Sequence, residues 1–529
     1  MRTRRRAVGI VLAVLVLLSC SSDEPISFDA PAGDTDPSTT STPPDDVDDD
    51  ALVVSINTAA AGQTISPLIR GVSGDLSADE KRRAGVTLDS WGGNPSSRYN
   101  YQLGNAWNAG SDWEFRNTDY GNDGDVFDAF AEANRDFAVR LAVPTLGWIP
   151  KNGDDNTCSF PEGGCTGGDG YDCENPGPIA DPNTTSVPST PEMVADWIAG
   201  LGADGLAPRF IAMDNEPELW GHTHYDIHPT CPTFQEIVDT YLRYADAIRD
   251  IAPEAELMGP AMCCWFDYWR IAPDPPDGSD ADFLTWFLTK VREHDEATGR
   301  RTLDVVDVHF YPQSEVFNDE TDDETNARRL RSTRALWDPS YVDESWINDT
   351  IALVPRLRAI IGRSYPDTPL AVTEWNFGAD GTMNGALAIA DVLGIYGREG
   401  VYAAAYWRSP DVGSPGYYAF TMHGNYDGRG SAFEGAVVPT EEDDSLLSTY
   451  AAVDEDTGLL RVMLLNEDPE EPRDVRLDVA GRPILDTARR WTYDGSHLDR
   501  IVVDQVDATG SIELAPYSIT VLELDLGAT

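Results

Sequence analysis

The chain has 529 residues and carries 91 acidic against 38 basic side chains, a formal net charge of −53 at pH 7. So negative a field argues against nucleic acid or anionic lipid headgroups as partners, whereas a neutral ligand such as a glycan meets no such barrier. The length exceeds that of one small domain and fits one large barrel with an accessory module. We expect the protein to work as a monomer.

The N-terminus has the pattern of an export signal. Several Arg residues precede an unbroken apolar run over residues 8–18, which is shorter than the roughly 20 residues that span a bilayer. Leu17-Leu18-Ser19-Cys20 resembles a bacterial lipobox, in which the cysteine is lipidated and becomes the mature N-terminus. We therefore expect residues 1–20 to be a lipoprotein signal peptide and Cys20 to anchor the exported protein at the cell surface. An ordinary secretory signal and a secreted protein are the alternative.

Residues 21–50 have the composition of a tether. They contain ten acidic and no basic side chains, with many Pro, Ser and Thr residues. Such a segment cannot bury enough apolar surface to offset the entropy lost on ordering, so we expect a disordered linker between the anchor and the folded part.

Eight short apolar runs follow one another through the middle of the chain, with helical patterns between several of them. Continuous apolar runs are typical of parallel strands that are covered on both faces. The clearest helix covers residues 233–250, where Thr233 and Glu236 form the pattern of a capping box. The order predicts an α/β fold, a TIM barrel over residues 66–435; a doubly wound open sheet is the alternative, but the Gly-rich phosphate loop is missing after the first run. The runs are residues 67–72, 88–91, 138–144, 210–214, 256–260, 305–309, 370–374 and 401–407.

From about Ala436 the hydrophobic period changes from helical to alternating. DVRLDVA, SIELAP and SITVLEL place apolar and polar side chains in turn, which predicts an antiparallel β-sandwich over residues 436–529. Residues 51–65, which precede the barrel, are expected to add an N-terminal strand to this sandwich.

Two glutamates follow predicted strands where the chemistry of such barrels lies. Glu216 follows the fourth run by two residues, in MDNEPELWGHTH, and Glu374 ends the seventh run, in LAVTEWNFG. A glycosidase needs one carboxyl group to protonate the leaving oxygen and a second to attack, or activate water at, the anomeric carbon. A structural carboxylate is the alternative at either position, but the pair favours catalysis. Glu218 is interpreted as a supporting or solvent-facing residue.

Asn215-Glu216-Pro217 resembles the acid/base strand of retaining barrel glycosidases, and longer segments resemble glycoside hydrolase family 44 in the right order. The resemblance implies a TIM barrel with a β-sandwich, a retaining mechanism and endo-cleavage of β-1,4-glucans such as xyloglucan and soluble cellulose derivatives. Carried onto this sequence, it implies Glu216 as the acid/base and Glu374 as the nucleophile. The segments are WGGNPSSRYNYQLGNAWNAGSDWEF, DNEPELWGHTHYDIHP, RSTRALWDPSYVDESWI, AVTEWNFG, LAIADVLGIYGREGVYAAAYW and NYDGRGSAFEG.

Two other functions that involve glycans compete with this hypothesis. One is a glycosidase of another β-glycan specificity, such as mannan or mixed-linkage glucan, because loops set substrate choice. The other is a glycan-binding surface lipoprotein with impaired catalysis. Its support is Ser90, in LDSWGGN, where the family pattern often has an Arg that can hold the nucleophile ionised. Another Arg, such as Arg408, can compensate.

Further side chains near strand ends are candidates for sugar binding. Asn215 can hydrogen-bond a sugar hydroxyl or orient a carboxylate, and His309 ends the sixth run, where a buried structural histidine is the alternative. Aromatic rings stack on the apolar face of glucose, so we expect at least two of those at strand ends to form subsites, with core packing as the alternative for each. The aromatic candidates are Trp91, Trp220, Tyr311, Trp375 and Trp407.

The sequence predicts no metal or cofactor for catalysis. His222, His224 and His228 have only part of a zinc-site spacing, and a zinc hydrolase built on them is the alternative. The acidic segment 318–323 can hold a structural Ca²⁺, but it lacks the ordered spacing of an EF-hand, which favours a solvated loop. Six cysteines besides Cys20 in an exported protein favour disulfides, and their pairing stays open among fifteen possibilities.

Overall fold

The computed structural model describes residues 27–28, 51–121, 124–270 and 277–527. The predicted signal peptide, its Cys20 and nearly all of the predicted linker lie outside the described residues. Two linker residues, Ser27–Phe28, pair in parallel with Arg500 and Ile501. Within the described part of the chain, no helix combines the length and the apolar character needed to cross a membrane.

Eight parallel strands close into a barrel in the order in which they occur along the chain. One strand falls on each predicted run, which confirms the TIM-barrel prediction. The strands are β1 (Gly71–Ser73), β2 (Leu88–Trp91), β3 (Ala138–Val143), β4 (Phe210–Met213), β5 (Glu256–Met262), β6 (Val305–Phe310), β7 (Leu370–Trp375) and β8 (Ala403–Trp407).

The first predicted run is only partly a strand. Its first half, Pro67–Ile69, forms a 3₁₀ turn, and β1 begins at Gly71. The Ser66 hydroxyl accepts a hydrogen bond from the Leu68 N–H, and the fixed φ of Pro67 suits the first position of a helical turn. The Ser66 cap and Pro67 therefore favour a helical turn here, although the apolar pattern predicted a strand.

Helices connect most of the barrel strands. The predicted helix at residues 233–250 begins at Phe234 and ends at Ile251, and its buried stripe includes Ile237, Tyr241 and Ile248. The Thr233 hydroxyl caps the helix by accepting from the Glu236 N–H at 3.1 Å, but the Glu236 carboxylate bonds to a histidine, so the predicted capping box is half formed. The helices of the described residues are Ala78–Ala84, Val126–Ala133, Pro191–Ala203, Trp220–Thr223, Phe234–Ile251, Phe283–Thr298, Asp323–Ser332, Leu353–Ser364, Met383–Glu399 and Pro415–Gly424.

The chain divides into two compact units. The first, Trp91–Glu132 with Arg140–Asp304, contains β4, β5 and most of β3. It also holds two small antiparallel sheets, Ala106–Trp107 with Thr118–Asp119 and Trp148–Pro150 with Ser186–Pro188. The second unit contains β1, most of β2, β6 to β8 and all later strands. The predicted domain boundary between residues 435 and 436 stays a prediction.

Two further sheets in the second unit pack face to face as a sandwich. Side chains from both, such as Val54 and Leu477 from one and Val462 and Leu522 from the other, share one hydrophobic cluster. The larger sheet has seven strands, in the order Ser27–Phe28, Arg500–Asp507, Ile484–Asp494, Ser518–Leu526, Leu459–Asn466, Leu447–Asp454 and Ala436–Val438. The smaller has four, in the order Thr440–Glu441, Leu52–Asn57, Arg473–Ala480 and Ile512–Leu514.

Within the same unit, the larger sheet packs on the helices Met383–Glu399 and Pro415–Gly424. The Tyr450 hydroxyl donates a hydrogen bond of 2.5 Å to the buried carboxylate of Asp391. Tyr418 stacks on Tyr493 with ring centroids 4.6 Å apart. This contact between helix and sheet combines buried aromatic rings with buried carboxyl groups.

The six cysteines beyond Cys20 form three disulfides, as the exported context predicted. Two of the disulfides close short loops, Cys158–Cys165 and the bond between the adjacent residues Cys263 and Cys264. The third, Cys173–Cys231, joins residues 58 positions apart.

Candidate active site

A strained turn after β4 presents Glu216. Asp214 and Glu216 both have positive φ, 74° and 48°, in a region that non-glycine residues rarely occupy. The carboxylate of Asp214 accepts hydrogen bonds from the N–H and the hydroxyl of Thr145, at 2.7 and 2.6 Å. The Glu216 N–H donates to the carbonyl of Ala261 on β5, at 3.0 Å. These contacts hold the strained turn in place.

Asn215, the predicted sugar ligand beside Glu216, is buried. Its side-chain Oδ1 accepts a hydrogen bond from the Gly93 N–H at 2.9 Å, and its backbone carbonyl accepts one from the Ser97 hydroxyl at 3.4 Å. Asn215 thus ties the turn after β4 to the segment after β2. Its contact with sugar stays a prediction.

The surroundings of Glu216 favour its protonated form. Burial, followed by the negative charge of Asp112, raises the pKa of Glu216 to about 8. Burial also raises the pKa of Asp112, which receives a hydrogen bond from the Asn94 amide. A carboxyl group that remains protonated at neutral pH has the property that a general acid needs.

Two more carboxyl groups approach Glu216. Glu218 is 4% exposed, and its Oε1 accepts a hydrogen bond of 2.5 Å from the Cys263 N–H. Burial and then the charges of Asp267 and Glu216 raise the pKa of Glu218 well above its usual range. Burial and then Glu216 raise the pKa of Asp267 to about 7. Glu218 is therefore buried rather than solvent-facing, and Asp267, five residues beyond β5, is a member of the site that sequence reasoning missed.

Glu374 lies at the end of β7 and is held from β6 and the residue after it. Its Oε2 accepts a hydrogen bond of 2.9 Å from the Tyr311 hydroxyl and lies 3.5 Å from Nδ1 of His309. His309 is cross-strand partner to Glu374 because the register of β6 against β7 shifts between Val308 and His309. The structure thus brings together three of the predicted site residues.

Trp375 and Trp220 lie in packed surroundings rather than in open subsites. Trp375 has no exposed surface and packs edge-on against Tyr396 and Tyr406, at 5.6 and 5.0 Å. Trp220 is also buried, with its ring 5.7 Å from that of His228. Neither ring offers a free face, so core packing describes both better than the predicted stacking on sugar.

Trp91 and Trp407, by contrast, are only half-buried. Trp91 joins an aromatic cluster that includes Phe130 at 5.3 Å and Phe127 at 5.5 Å. Trp407 ends β8, where its carbonyl accepts a hydrogen bond from the Asn376 side chain at 3.1 Å. Both keep some surface for a ligand, and their contact with sugar stays a prediction.

An exposed tryptophan that sequence reasoning missed is tied to the Glu374 side of the site. Trp346 is 63% exposed, and its indole N–H donates to Oε1 of Gln313 at 3.3 Å. The Gln313 amide in turn donates to the carbonyl of Tyr311 at 3.0 Å. Trp346 lies in a loop, where counting strand ends gives no signal, although the segment DESWI contains it.

The three histidines after Glu216 lie in different surroundings. Nε2 of His222 lies 3.7 Å from Sγ of Cys173, whose disulfide leaves no thiolate to bind a metal. His224 is buried, and Nε2 of His228 lies 3.0 Å from Glu236. In the acidic segment 318–323, Asp322 caps a helix by accepting from the Thr325 N–H at 3.1 Å, and the predicted Ca²⁺ there stays a prediction.

Ser90, which departs from the family pattern, is buried in β2. Its carbonyl accepts a hydrogen bond of 2.9 Å from the Ser73 hydroxyl on β1. Arg408, the suggested substitute, is exposed directly after β8 and has a φ of 63°. Whether Arg408 compensates for Ser90 stays a prediction.

Comparison with known proteins identifies the family. The model of glycoside hydrolase family 44 matches residues 106–314. Endoglucanase A of Paenibacillus lautus is 30% identical over 539 aligned residues, which cover 94% of this chain and 73% of that protein. CelM2, a bifunctional glucanase-xylanase from a metagenome library, superimposes with a TM-score of 0.84 at 32% identity, over 90% of this chain and 99% of that one. A Paenibacillus polymyxa xyloglucanase of family 44, solved with xyloglucan, superimposes with a TM-score of 0.78 at 26% identity. The match covers 90% of this chain and 100% of that one.

A parallel barrel with carboxyl groups at its strand ends, together with these relatives, defines a glycoside hydrolase of the endoglucanase type. The chain belongs to glycoside hydrolase family 44.

Proposed function

We propose that this protein is a retaining endo-β-1,4-glucanase that cuts soluble β-1,4-glucans such as xyloglucan. Glu216 acts as the acid/base and Glu374 as the nucleophile. The observation that carries the proposal is the difference between the two carboxyl groups. Burial raises the pKa of Glu216 to about 8, whereas the Glu374 carboxylate, although buried, receives a hydrogen bond from the Tyr311 hydroxyl. The raised pKa suits Glu216 to donate a proton, and a hydrogen bond that stabilises the ionised form suits Glu374 to attack.

Each half of the reaction uses both groups. In the first step, Glu374 attacks the anomeric carbon while Glu216 gives its proton to the glycosidic oxygen, and the leaving chain departs. In the second step, Glu216 takes a proton from water, which attacks the same carbon and releases Glu374. Tyr311 and His309 orient the Glu374 carboxylate for the attack, since both lie within 3.5 Å of its Oε2.

The family and the partly exposed aromatic side chains support a β-1,4-glucan as substrate. One relative is named an endoglucanase and another a xyloglucanase. Trp346, Trp407 and Trp91 keep surface on which a glucosyl face can stack. Xylan is a second candidate, because CelM2 is described as a glucanase-xylanase.

The proposal includes three further properties that the sequence predicts. Catalysis requires no metal or other cofactor, so a chelator leaves the rate unchanged. The protein is exported and acts as a monomer held at the cell surface by a lipid on Cys20. Labelling of cells with a radioactive fatty acid tests the anchor, because Cys20→Ser abolishes the label if the proposal is right.

The first experiment measures reducing ends released by residues 51–529 from xyloglucan, carboxymethyl-cellulose, xylan and mannan. We expect Glu374→Gln to lose on the order of 10³-fold or more in rate while its melting temperature stays close to that of the wild type. The exposed Glu254→Gln, a matched loss of one carboxylate, keeps full activity. Proton NMR of early products should show the β-anomer first. Full activity in Glu374→Gln, or inversion, contradicts the assignment.

A further inference from the structure

The loop that follows β5 begins with a disulfide between adjacent residues, Cys263 and Cys264. Both cysteines are partly buried, and they follow directly after Met262, the last residue of the strand. Two residues earlier, the Ala261 carbonyl receives the N–H of Glu216. The disulfide thus lies on the strand end that holds the turn of the proposed acid/base.

The backbone N–H of the first bridged cysteine, Cys263, binds Glu218. The Cys263 N–H donates to its Oε1 at 2.5 Å. Among the described residues, its Oε2 is buried without a hydrogen-bond partner. A buried carboxyl group with neighbouring carboxyl groups is stabilised in its neutral form. The Cys263 N–H is therefore the contact that fixes where this neutral side chain lies beside Glu216.

The backbone carbonyl of the second bridged cysteine, Cys264, binds Asp267. The Asp267 N–H donates to the carbonyl of Cys264 at 3.0 Å, which closes a tight turn. This turn brings the Asp267 carboxyl group near enough to Glu216 and Glu218 for their charges to influence one another. Both neighbours of Glu216 are thus held through backbone groups of the two bridged cysteines.

We propose that Glu218 and Asp267 are positioning residues for Glu216 and that the Cys263–Cys264 disulfide fixes both of them. The inference rests on the proposed role of Glu216 as acid/base. A bond between adjacent side chains prevents the two residues from rotating independently, so the Cys263 N–H and the Cys264 carbonyl keep their directions. Glu218 then fills space that water would otherwise occupy, and Asp267 adds a like charge.

The groups that face Glu216 within its own unit are Asp112, Glu218 and Asp267. In the proposed mechanism, Glu374 and His309 are two further titratable groups of the active site. Burial is the largest cause of the raised pKa of Glu216. Loss of the side chains that keep water out should therefore lower that pKa and make the acid deprotonate at a lower pH.

A dithiol such as dithiothreitol opens the disulfide in a balanced exchange. A thiolate of the dithiol attacks one sulfur, and the other cysteine leaves as a thiolate that takes a proton. The second thiol of the dithiol then displaces the first cysteine and closes a cyclic disulfide. Two electrons pass from the dithiol to the protein, which gains two cysteine thiols.

The test is the pH dependence of kcat/KM on xyloglucan. The alkaline limb of this profile is the fall in kcat/KM at high pH, where Glu216 loses its proton. We expect Cys263→Ser/Cys264→Ser and Glu218→Ala to move this limb to lower pH by about one unit or more. Glu218→Gln keeps an acceptor for the Cys263 N–H and is neutral, so its limb should stay within a few tenths of a unit. The control Cys158→Ser/Cys165→Ser removes another short-loop disulfide and should leave the limb in place.

The possible outcomes separate this inference from the proposed function. A wild type that cuts no glucan, or a fully active Glu216→Gln, overturns the proposed function and this inference with it. A normal wild-type profile with the same alkaline limb in every variant overturns only this inference. Alkylation of Cys263 or Cys264 in unreduced protein, read by mass spectrometry, also overturns it. If the double serine variant does not fold, the comparison of Glu218→Ala with Glu218→Gln decides.

Discussion

The hydroxyl of Tyr311 donates a hydrogen bond of 2.9 Å to Oε2 of Glu374. This bond joins the residue after β6 to the last residue but one of β7, and it fixes one oxygen of the proposed nucleophile. A hydrogen bond to a carboxylate is stronger than one between neutral groups and stabilises the ionised form, which the proposed role of Glu374 requires.

Tyr311→Phe should lower kcat/KM on xyloglucan by about ten- to 150-fold, because a hydrogen bond to a charged group contributes about 1.5–3 kcal/mol and 1.36 kcal/mol equals tenfold in rate. The ring remains, so its packing at 5.1 Å on Phe317 and the melting temperature should hardly change. Steady-state kinetics on the two proteins make the comparison. An unchanged kcat/KM would mean that Tyr311 does not orient Glu374.

The pH profile should report the acid. Because the pKa of Glu216 is about 8 and the first step needs its proton, kcat/KM should fall tenfold per pH unit above about pH 8. Asp112→Asn removes a nearby like charge that is the second cause of the raised pKa of Glu216, after burial, so the alkaline limb should move to lower pH by a few tenths of a unit. The exposed Asp155→Asn is the matched control. A limb at the same pH in Asp112→Asn would show that Asp112 does not act on Glu216.

Trp346 should contribute to substrate binding and not to the chemical step. Trp346→Ala should raise KM about three- to tenfold with kcat nearly constant, since stacking on one ring contributes roughly 0.5–1.5 kcal/mol. Trp346→Phe keeps an aromatic face but loses the bond to Gln313, so its KM should be intermediate. A KM equal to that of the wild type in Trp346→Ala would place this ring outside the substrate path.

Stability should fall as the pH rises, because carboxyl groups are buried where the larger sheet meets the helices. Burial raises the pKa of Glu442 to about 7 and raises those of Asp391 and Glu467. A carboxyl group whose pKa is higher in the folded than in the unfolded protein stabilises the fold when protonated, and this contribution is lost as the pH rises through the folded value. The melting temperature should therefore drop by about 2 °C or more between pH 6 and 8.5.

The matched variant for this prediction is Glu442→Gln, which stays neutral at every pH. Its melting temperature should depend less steeply on pH than that of the wild type. Arg398 is the cation that opposes the shift of Glu442, so Arg398→Gln should steepen the dependence. A melting temperature that does not change from pH 6 to 8.5 would contradict the buried acidic cluster.

The positions of the two proposed catalytic residues were predictable because they depend on local patterns. Apolar runs mark parallel strands, and Glu216 and Glu374 lie where two of them end. The alternation of side chains along a strand also bears on Trp375. Since Glu374 and Trp375 are neighbours on β7, their side chains point to opposite faces, and only one of them can point into the barrel. A period-two argument would thus have placed Trp375 in the core.

Other features of the site depend on contacts that no local pattern encodes. The bond from Tyr311 to Glu374 joins residues 63 positions apart and depends on a shift in strand register. Asp267 reaches the site through a turn closed by a disulfide, and six cysteines allow fifteen pairings. Trp346 reaches it through a hydrogen bond from a loop. Side-chain distances of this kind arise only when the whole chain has packed.

The strand Leu52–Asn57 has a consequence for how the protein is made. It runs parallel to Arg473–Ala480, with Leu52 opposite Val475 and Asn57 opposite Ala480, so its partner is translated more than 400 residues later. During synthesis, Leu52–Asn57 must wait unpaired until first Thr440–Glu441 and then Arg473–Ala480 have emerged. Pairing over such a separation is slow, so this sheet should close last in biogenesis, and an interrupted translation product should leave an exposed strand edge open to aggregation or proteolysis.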